Sequence, residues 1–158
     1  MSNVYEPHFD EPREQEGFRA QRARVGQQVG ANRIGLSVWD VPPGQAAYPY
    51  HFHLGEEELI VVLEGTPELR SPQGERILER GEVVSFPRGE EGAHQIINRT
   101  DSTVRFMAIS TNGDPDIVGY PDSAKVSAAE RLPDGSGFKQ YFRLSSAVDY
   151  WDGESPPD

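Results

Sequence analysis

The apolar residues of this chain come in short runs that recur roughly every ten residues, with no helical period between them. A run of that length can cross a sheet but is too short to make a helix that stands on its own. In RIGLSVWDV (33–41), Ile34, Leu36 and Val38 alternate with smaller or polar residues, the period of a half-buried strand. Residues 59–63 are five consecutive apolar residues, three of them β-branched, which reads as a strand buried on both faces and stopped at Gly65. SPQG (71–74) is a turn joining TPELR to ERILE as a hairpin, and RGE (80–82) is another turn. VVSFP, AHQIIN and VRFMAIS follow as strands. The last of these places Val104, Phe106 and Ala108 on one face and Met107 and Ile109 on the other. Sixteen glycines and thirteen prolines supply the turns such a chain needs. The expected fold is all-β, an antiparallel sandwich or barrel rather than a doubly wound parallel sheet.

A chain of 158 residues is the size of one domain. Residues 1–30 are polar, charged and largely aperiodic and are expected to form an N-terminal arm, with an edge strand, packing on a barrel of residues 31–145. Residues 146–158 form a tail. SAAERL and SSAVDYW are expected to make short helical turns near the C-terminus, and GESPPD to be disordered.

The absence of cysteine removes disulfides, thiolate nucleophiles, zinc fingers and iron–sulfur clusters, so any metal must be held by nitrogen and oxygen. No stretch approaches the ~20 apolar residues of a membrane span, and the charged start MSNVYEPHFDEPREQEG has no apolar centre, so a cytoplasmic location is expected. A formal charge of −11 repels phosphate backbones and anionic membrane surfaces, which argues against nucleic-acid and membrane partners. The edge strands and the arm point to a homodimer, and the expected ligand is a small-molecule substrate.

The chemistry gathers in YHFHLGEEELIVVLEG (50–65). His51 and His53 are separated by one residue, so on a strand both project from one face, about 7 Å apart along the backbone. Neutral imidazoles leave a nitrogen lone pair for a divalent metal. Three glutamates follow. Glu56, nearest the Leu54–Gly55 turn, reads as a solvated loop charge. Parity with His53 favours Glu57 over Glu58, but the turn breaks that parity and spacing leaves both open. A third histidine, His94, starts an apolar strand in FPRGEEGAHQIIN, whereas His8 lies in the charged arm without such a context.

Together these residues resemble the two motifs of the cupin superfamily. The first motif is glycine, five residues, His-x-His, three or four residues, Glu, six residues, Gly. Its counterparts are Gly44, His51, His53, Glu58 and Gly65, with one extra residue after Gly44. The second is glycine, five residues, Pro-x-Gly, two residues, His, three residues, Asn, and it is matched by Gly81, Pro87, Gly89, His94 and Asn98, with four residues rather than two before His94. The chain is most similar to small single-domain bacterial cupins. That resemblance implies a jelly-roll, or double-stranded β-helix, barrel in which His51, His53, Glu58 and His94 hold one divalent transition metal, Mn, Fe, Ni, Zn or Cu. It also selects Glu58 over Glu57 as ligand. The remaining glutamate, Glu57, is the candidate catalytic base. Tyr48, Tyr50, Phe52, Phe86 and Phe106 either line a pocket above the metal or pack the core, and Asn98 is expected to fix a strand turn.

The implied function is a metalloenzyme acting on a small oxygen-rich substrate by dioxygenase-like or Lewis-acid chemistry. One alternative is a sugar-phosphate isomerase, for which Arg70, Arg76, Arg80, Arg88, Arg99 and Arg105 are candidate phosphate clamps. The other is a non-enzymatic module that binds a small ligand.

Overall fold

The computed structural model describes residues 2–130 and 137–157. Its strands are β1 (Glu11–Arg13), β2 (Ala20–Ala23), β3 (Gly35–Val41), β4 (Phe52–His53), β5 (Glu58–Glu64), β6 (Glu68–Ser71) and β7 (Gly74–Ile77), with one short helix, α1 (Val25–Gln28), between β2 and β3. After them come β8 (Val83–Phe86), β9 (Gln95–Ile97), β10 (Val104–Ser110), β11 (Asp116–Tyr120), β12 (Lys125–Ala129) and β13 (Lys139–Arg143). Among the described residues every pairing between these strands is antiparallel, as the recurring short runs predicted.

One layer is a six-stranded sheet in the order β1-β2-β3-β10-β5-β8. The other consists of a four-stranded sheet, β13-β12-β11-β4, and a three-stranded one, β7-β6-β9. Residues 46–53 join these two: Ala46 bridges Ile97 and His51 bridges His94 on the β9 side, and β4 then pairs with β11. The core between the layers is built from Trp39, Val41, Ile60, Val62, Leu69, Leu78, Phe86, Ile96, Val104 and Phe106. Val104, Phe106 and Ala108 point inward together on β10, as their spacing indicated.

The N-terminal stretch does more than pack on the barrel. β1 and β2 extend the six-stranded sheet beyond β3, and Ala23 and Val25 form a second apolar cluster with Val38, against which Val4, Phe9, Leu36 and Leu63 pack. This corrects the reading of β3. Its inward residues are Ser37, Trp39 and Val41, while Leu36 and Val38 face the arm and Ile34 is exposed. On β5, only Ile60 and Val62 are fully buried, and the outer face is covered in part where Leu63 meets the arm.

The SPQG hairpin forms as expected between β6 and β7, with Ser71 opposite Gly74. SAAERL does not make a helical turn over its first three residues, which belong to β12 and pair with both β11 and β13; its last two lie outside the described residues. In SSAVDYW only the leading serines join a 3₁₀ turn, Leu144–Ser146. Among the described residues no helix is long and apolar enough to cross a membrane.

Candidate functional site

The bridge between His51 and His94 brings the two halves of the histidine pattern together. The backbone N–H of His94 donates to the His51 carbonyl at 2.9 Å, and the N–H of His51 returns to the His94 carbonyl at 3.2 Å. The imidazole rings lie 4.8 Å apart, and the His53 ring is 4.9 Å from that of His51. Glu58 opens β5 on the same inward parity as Ile60 and Val62, so its carboxylate enters the same space. Its Oε2 stands 3.2 Å from His94 Nε2 and 3.8 Å from His53 Nε2. His51, His53 and Glu58 each offer a ligand atom within 4.8 Å of the others.

The partners of the three rings fix their tautomers. His51 Nδ1 meets the Pro49 carbonyl at 2.9 Å, His53 Nδ1 meets Asp116 Oδ2 at 2.6 Å, and His94 Nδ1 meets the Gly92 carbonyl at 2.9 Å. Carbonyl and carboxylate oxygens only accept, so each Nδ1 carries the hydrogen and each Nε2 of a neutral ring presents a lone pair. The contact between His94 Nε2 and Glu58 Oε2 therefore sets one acceptor against another. Both atoms are buried, and neither makes a hydrogen bond. Such an arrangement is unfavourable unless a proton or a metal cation sits between them.

Burial, reinforced by the neighbouring imidazoles His94 and His53, pulls His51 down to about 3, so it is neutral at pH 7. Burial raises the Glu58 carboxyl, but positive charge on the imidazoles around it, with His94 donating to it in the protonated form, outweighs that and holds it at about 2, and a bound cation would act in the same direction. For His53, burial works downward, yet the hydrogen bond to Asp116 and the charges of Glu58, Asp116 and Glu56 bring the net shift upward. The ring environment is otherwise apolar. Phe86 stacks on His94 at 3.8 Å between centroids, and Tyr48 meets His51 and His94 edge-on at 4.8 and 5.5 Å.

The longer spacing in the second motif has a local explanation. The two extra residues before His94 are taken up by a 3₁₀ turn, Glu90–Gly92, which Gly89 enters at φ +90°. Gly92 packs so tightly there that a Cβ would lie 1.8 Å from the Pro87 carbonyl oxygen. At the other motif, Gly44 adopts φ +73°, and its N–H donates to the Asn98 carbonyl. Asn98 is buried and ties its turn through the Val41 and Ser102 carbonyls and the Thr100 N–H.

The structure does not bring Glu57 to the cluster: it is exposed, and its backbone N–H donates to Thr111 Oγ1. The Leu54–Gly55 turn instead buries Glu56, read from the sequence as a solvated charge, at 2% exposure beside His53 and Asp116. Asp116 itself was not found from the sequence. It lies diagonal to His53 on the inward face of β11, because His53 pairs with Val118 two residues further on, and it also accepts the Gly55 N–H at 3.0 Å.

Of the aromatic candidates, Tyr48 and Phe86 border the cluster, and Phe106 is core. Tyr50 and Phe52 alternate with the histidines and so face outward. Tyr50 lies under Arg70, and Phe52 covers Gly119 in an outer groove of about 660 Å³. Five of the six arginines expected to clamp phosphate are engaged elsewhere. Arg70 forks onto Asp122, Arg76 pairs with Glu82, Arg99 with Glu68 and Arg105 with Asp40. Arg88 donates to the Leu54 carbonyl, and Arg80 is exposed.

Fold and site together define an antiparallel β-barrel protein with imidazoles and a carboxylate gathered on its inner wall. Residues 37–110 match the Cupin domain family, so this stretch of the chain is a cupin domain. No curated protein matches it in sequence. Among solved structures, a candidate sugar phosphate isomerase from Acidithiobacillus ferrooxidans is similar at 26% identity and TM-score 0.74, over 84% of this chain and 81% of that one. A cupin-superfamily protein from Silicibacter pomeroyi named as a sugar phosphate isomerase gives 26% identity and 0.73, over 84% and 82%. A polyketide cyclase from Streptomyces resistomycificus gives 30% and 0.51, over 59% and 65%.

Proposed function

We propose that the protein is a metal-dependent enzyme in which His51, His53, His94 and Glu58 hold one divalent transition metal and a small oxygen-rich substrate binds beside them. The observation that carries this reading is the buried, bond-less approach of Glu58 Oε2 to His94 Nε2 within a ring of inward lone pairs. Three imidazoles and one carboxylate suit Mn, Fe, Ni, Cu or Zn and leave coordination positions for exchange. Bound there, such an ion supplies Lewis-acid polarisation of substrate oxygens and a template for their orientation.

The protein's own residues do the rest. The Pro49 and Gly92 carbonyls and Asp116 hold the three rings by their Nδ1–H groups, so that each ring, when neutral, turns its Nε2 lone pair toward the cluster. Phe86 and Tyr48 restrict water around His94. Glu56 is a buried carboxylate beside His53 and is better placed to accept or return a proton than Glu57, which stands in solvent.

The two relatives named as sugar phosphate isomerases favour isomerisation of a phosphorylated sugar as the reaction to try first. A homodimer joined along β13 goes with this reading. β13 is an edge strand exposed at every residue, and Phe138, Phe142, Leu144, Val148, Tyr150 and Trp151 near it are exposed as well. The test is elemental analysis of protein purified without added metal, repeated on the variant with His51, His53, Glu58 and His94 all replaced by Ala. Stoichiometric metal that persists in this variant refutes the assignment.

A further inference from the structure

The Tyr48 side chain beside the cluster carries a buried polar atom that the ligand set does not explain. The Tyr48 hydroxyl is inaccessible and has no hydrogen-bond partner. A buried hydroxyl left unmade costs stability, so its retention needs a reason. Its ring packs edge-on against His51 and His94 on one side and Trp39 on the other, at 5.6 Å. The hydroxyl feels the Glu58 charge from the cluster and the Arg13 and Arg22 charges from beyond Trp39. It thus lies between the histidine site and a group of cations.

Those cations come from the N-terminal strands. Arg13 lies 4.5 Å over the Trp39 ring and donates to the Ala47 carbonyl, one residue from Tyr48. It is held only loosely by an acid, with Glu11 at 3.8 Å, and Glu11 is shared with Arg22 and Arg24. The opposite wall of the barrel opening is equally basic. The pairing of β11 with β12 and of β12 with β13 puts Tyr120, Lys125 and Arg143 in one row. Tyr120 stacks on His51 at 6.2 Å, and the Lys125 Nζ is 5.3 Å over the Tyr120 ring. Arg13 in turn feels Tyr120 and Tyr141 across the opening. In a chain of net charge −11, a rim of arginine and lysine facing tyrosines marks a place for an anion.

We propose that the Tyr48 hydroxyl and the Arg13 guanidinium, supported by Lys125, bind an anionic group of the substrate, a phosphate or a carboxylate, beside the histidine–glutamate cluster. This rests on the reading of that cluster as the reaction site, and supplies the oxyanion clamp that the outer arginines cannot. Tyr48 donates its hydroxyl hydrogen, and burial keeps the phenol protonated well above its ordinary range. Arg13 contributes charge and paired N–H donors.

The test is calorimetric titration of the full chain with inorganic phosphate and, separately, oxalate, before and after removal of metal by chelation, with metal content measured on every sample. One of the two probes should bind the native protein, and which one does so distinguishes a phosphate from a carboxylate substrate. Arg13→Gln should weaken that binding roughly tenfold or more, the worth of a charge-assisted hydrogen bond. Arg13→Lys should recover part of it. Tyr48→Phe should weaken it severalfold while leaving metal content and the ligand-free melting temperature unlowered, because the hydroxyl bonds nothing there. Absence of binding by either probe, equal binding by the variants, or a lowered melting temperature in Tyr48→Phe overturns the proposal. Anion binding that responds to Arg13 in a protein that takes up no metal would instead refute the metal reading and leave the clamp standing.

Discussion

Replacing Asp116 by Asn removes one charge and one acceptor while keeping the side chain's shape. Asp116 Oδ2 takes the Nδ1–H of His53 at 2.6 Å, and Oδ1 takes the Gly55 N–H at 3.0 Å. An amide can serve only one of these two donors. If its oxygen stays with Gly55, its NH₂ faces His53 Nδ1, and the imidazole must move its hydrogen to Nε2, which removes the inward lone pair. If its oxygen turns to His53, the NH₂ meets the Gly55 N–H, and a donor is left unmatched in a site where Asp116 is fully buried. The first outcome removes one of the proposed metal ligands, and loss of such an outer partner usually costs about 10- to 100-fold in metal affinity. The second costs about 1–3 kcal/mol of stability for the unmet donor. Asp116→Asn should therefore bind metal at least tenfold more weakly in competition against a chromophoric chelator, and unfold at lower urea, with little change in its far-ultraviolet circular dichroism. Metal affinity within twofold of the native protein, together with an unchanged unfolding midpoint, would refute the role given to this carboxylate.

Metal-free protein should lose stability as the pH falls from neutral. His51 is depressed to about 3 from 6.5, so between those values the unfolded chain takes a proton that the folded one refuses. Glu58, depressed to about 2 from 4.5, adds a second loss between 4.5 and 2. Each group contributes a slope of up to about 1.4 kcal/mol per pH unit, and urea midpoints at pH 7, 5.5 and 4 measure it; a flat profile counts against the buried neutral His51. Gly92→Ala should both destabilise the protein and reduce metal content, because the added Cβ meets the Pro87 carbonyl in the loop whose Gly92 oxygen holds His94. Native-like metal content in this variant would separate the loop from the site. Phe106→Ala, at a fully buried position in the core, should cost about 3–5 kcal/mol in denaturant unfolding while leaving the ligand residues in place; a loss below 1 kcal/mol would argue against the packing described for β10.

What could be read from the sequence was whatever its own neighbours determine. The His51–His53 pair, the apolar parity of β10 and the SPQG hairpin depend on residues a few positions apart, and all are found where the text placed them. The glutamates were not decidable by parity, because the Leu54–Gly55 turn shifts the register and puts Glu56 and Glu58, not Glu57, on the inward side. Ser127–Ala129, the start of SAAERL, was read as a helical turn because alanines carry no strand preference, and its place in β12 comes from partners on both sides.

Asp116 and Arg13 were missed for a deeper reason. Asp116 reaches His53 across 63 positions of sequence, and Arg13 reaches Ala47 across 34. The alternation of Asp116, Val118 and Tyr120 in DIVGY marks one face of a strand, but nothing local says that this face meets His53 rather than solvent. Only the pairing of Val118 with His53 and of Gly119 with Phe52 sets that register. Once it is set, an acid on the inward parity must have a buried donor or a cation to answer it, and the His53 Nδ1–H is that donor. The same logic applies to Tyr48, whose inward hydroxyl has no hydrogen-bond partner in the structure and is therefore where the proposed anion site is placed.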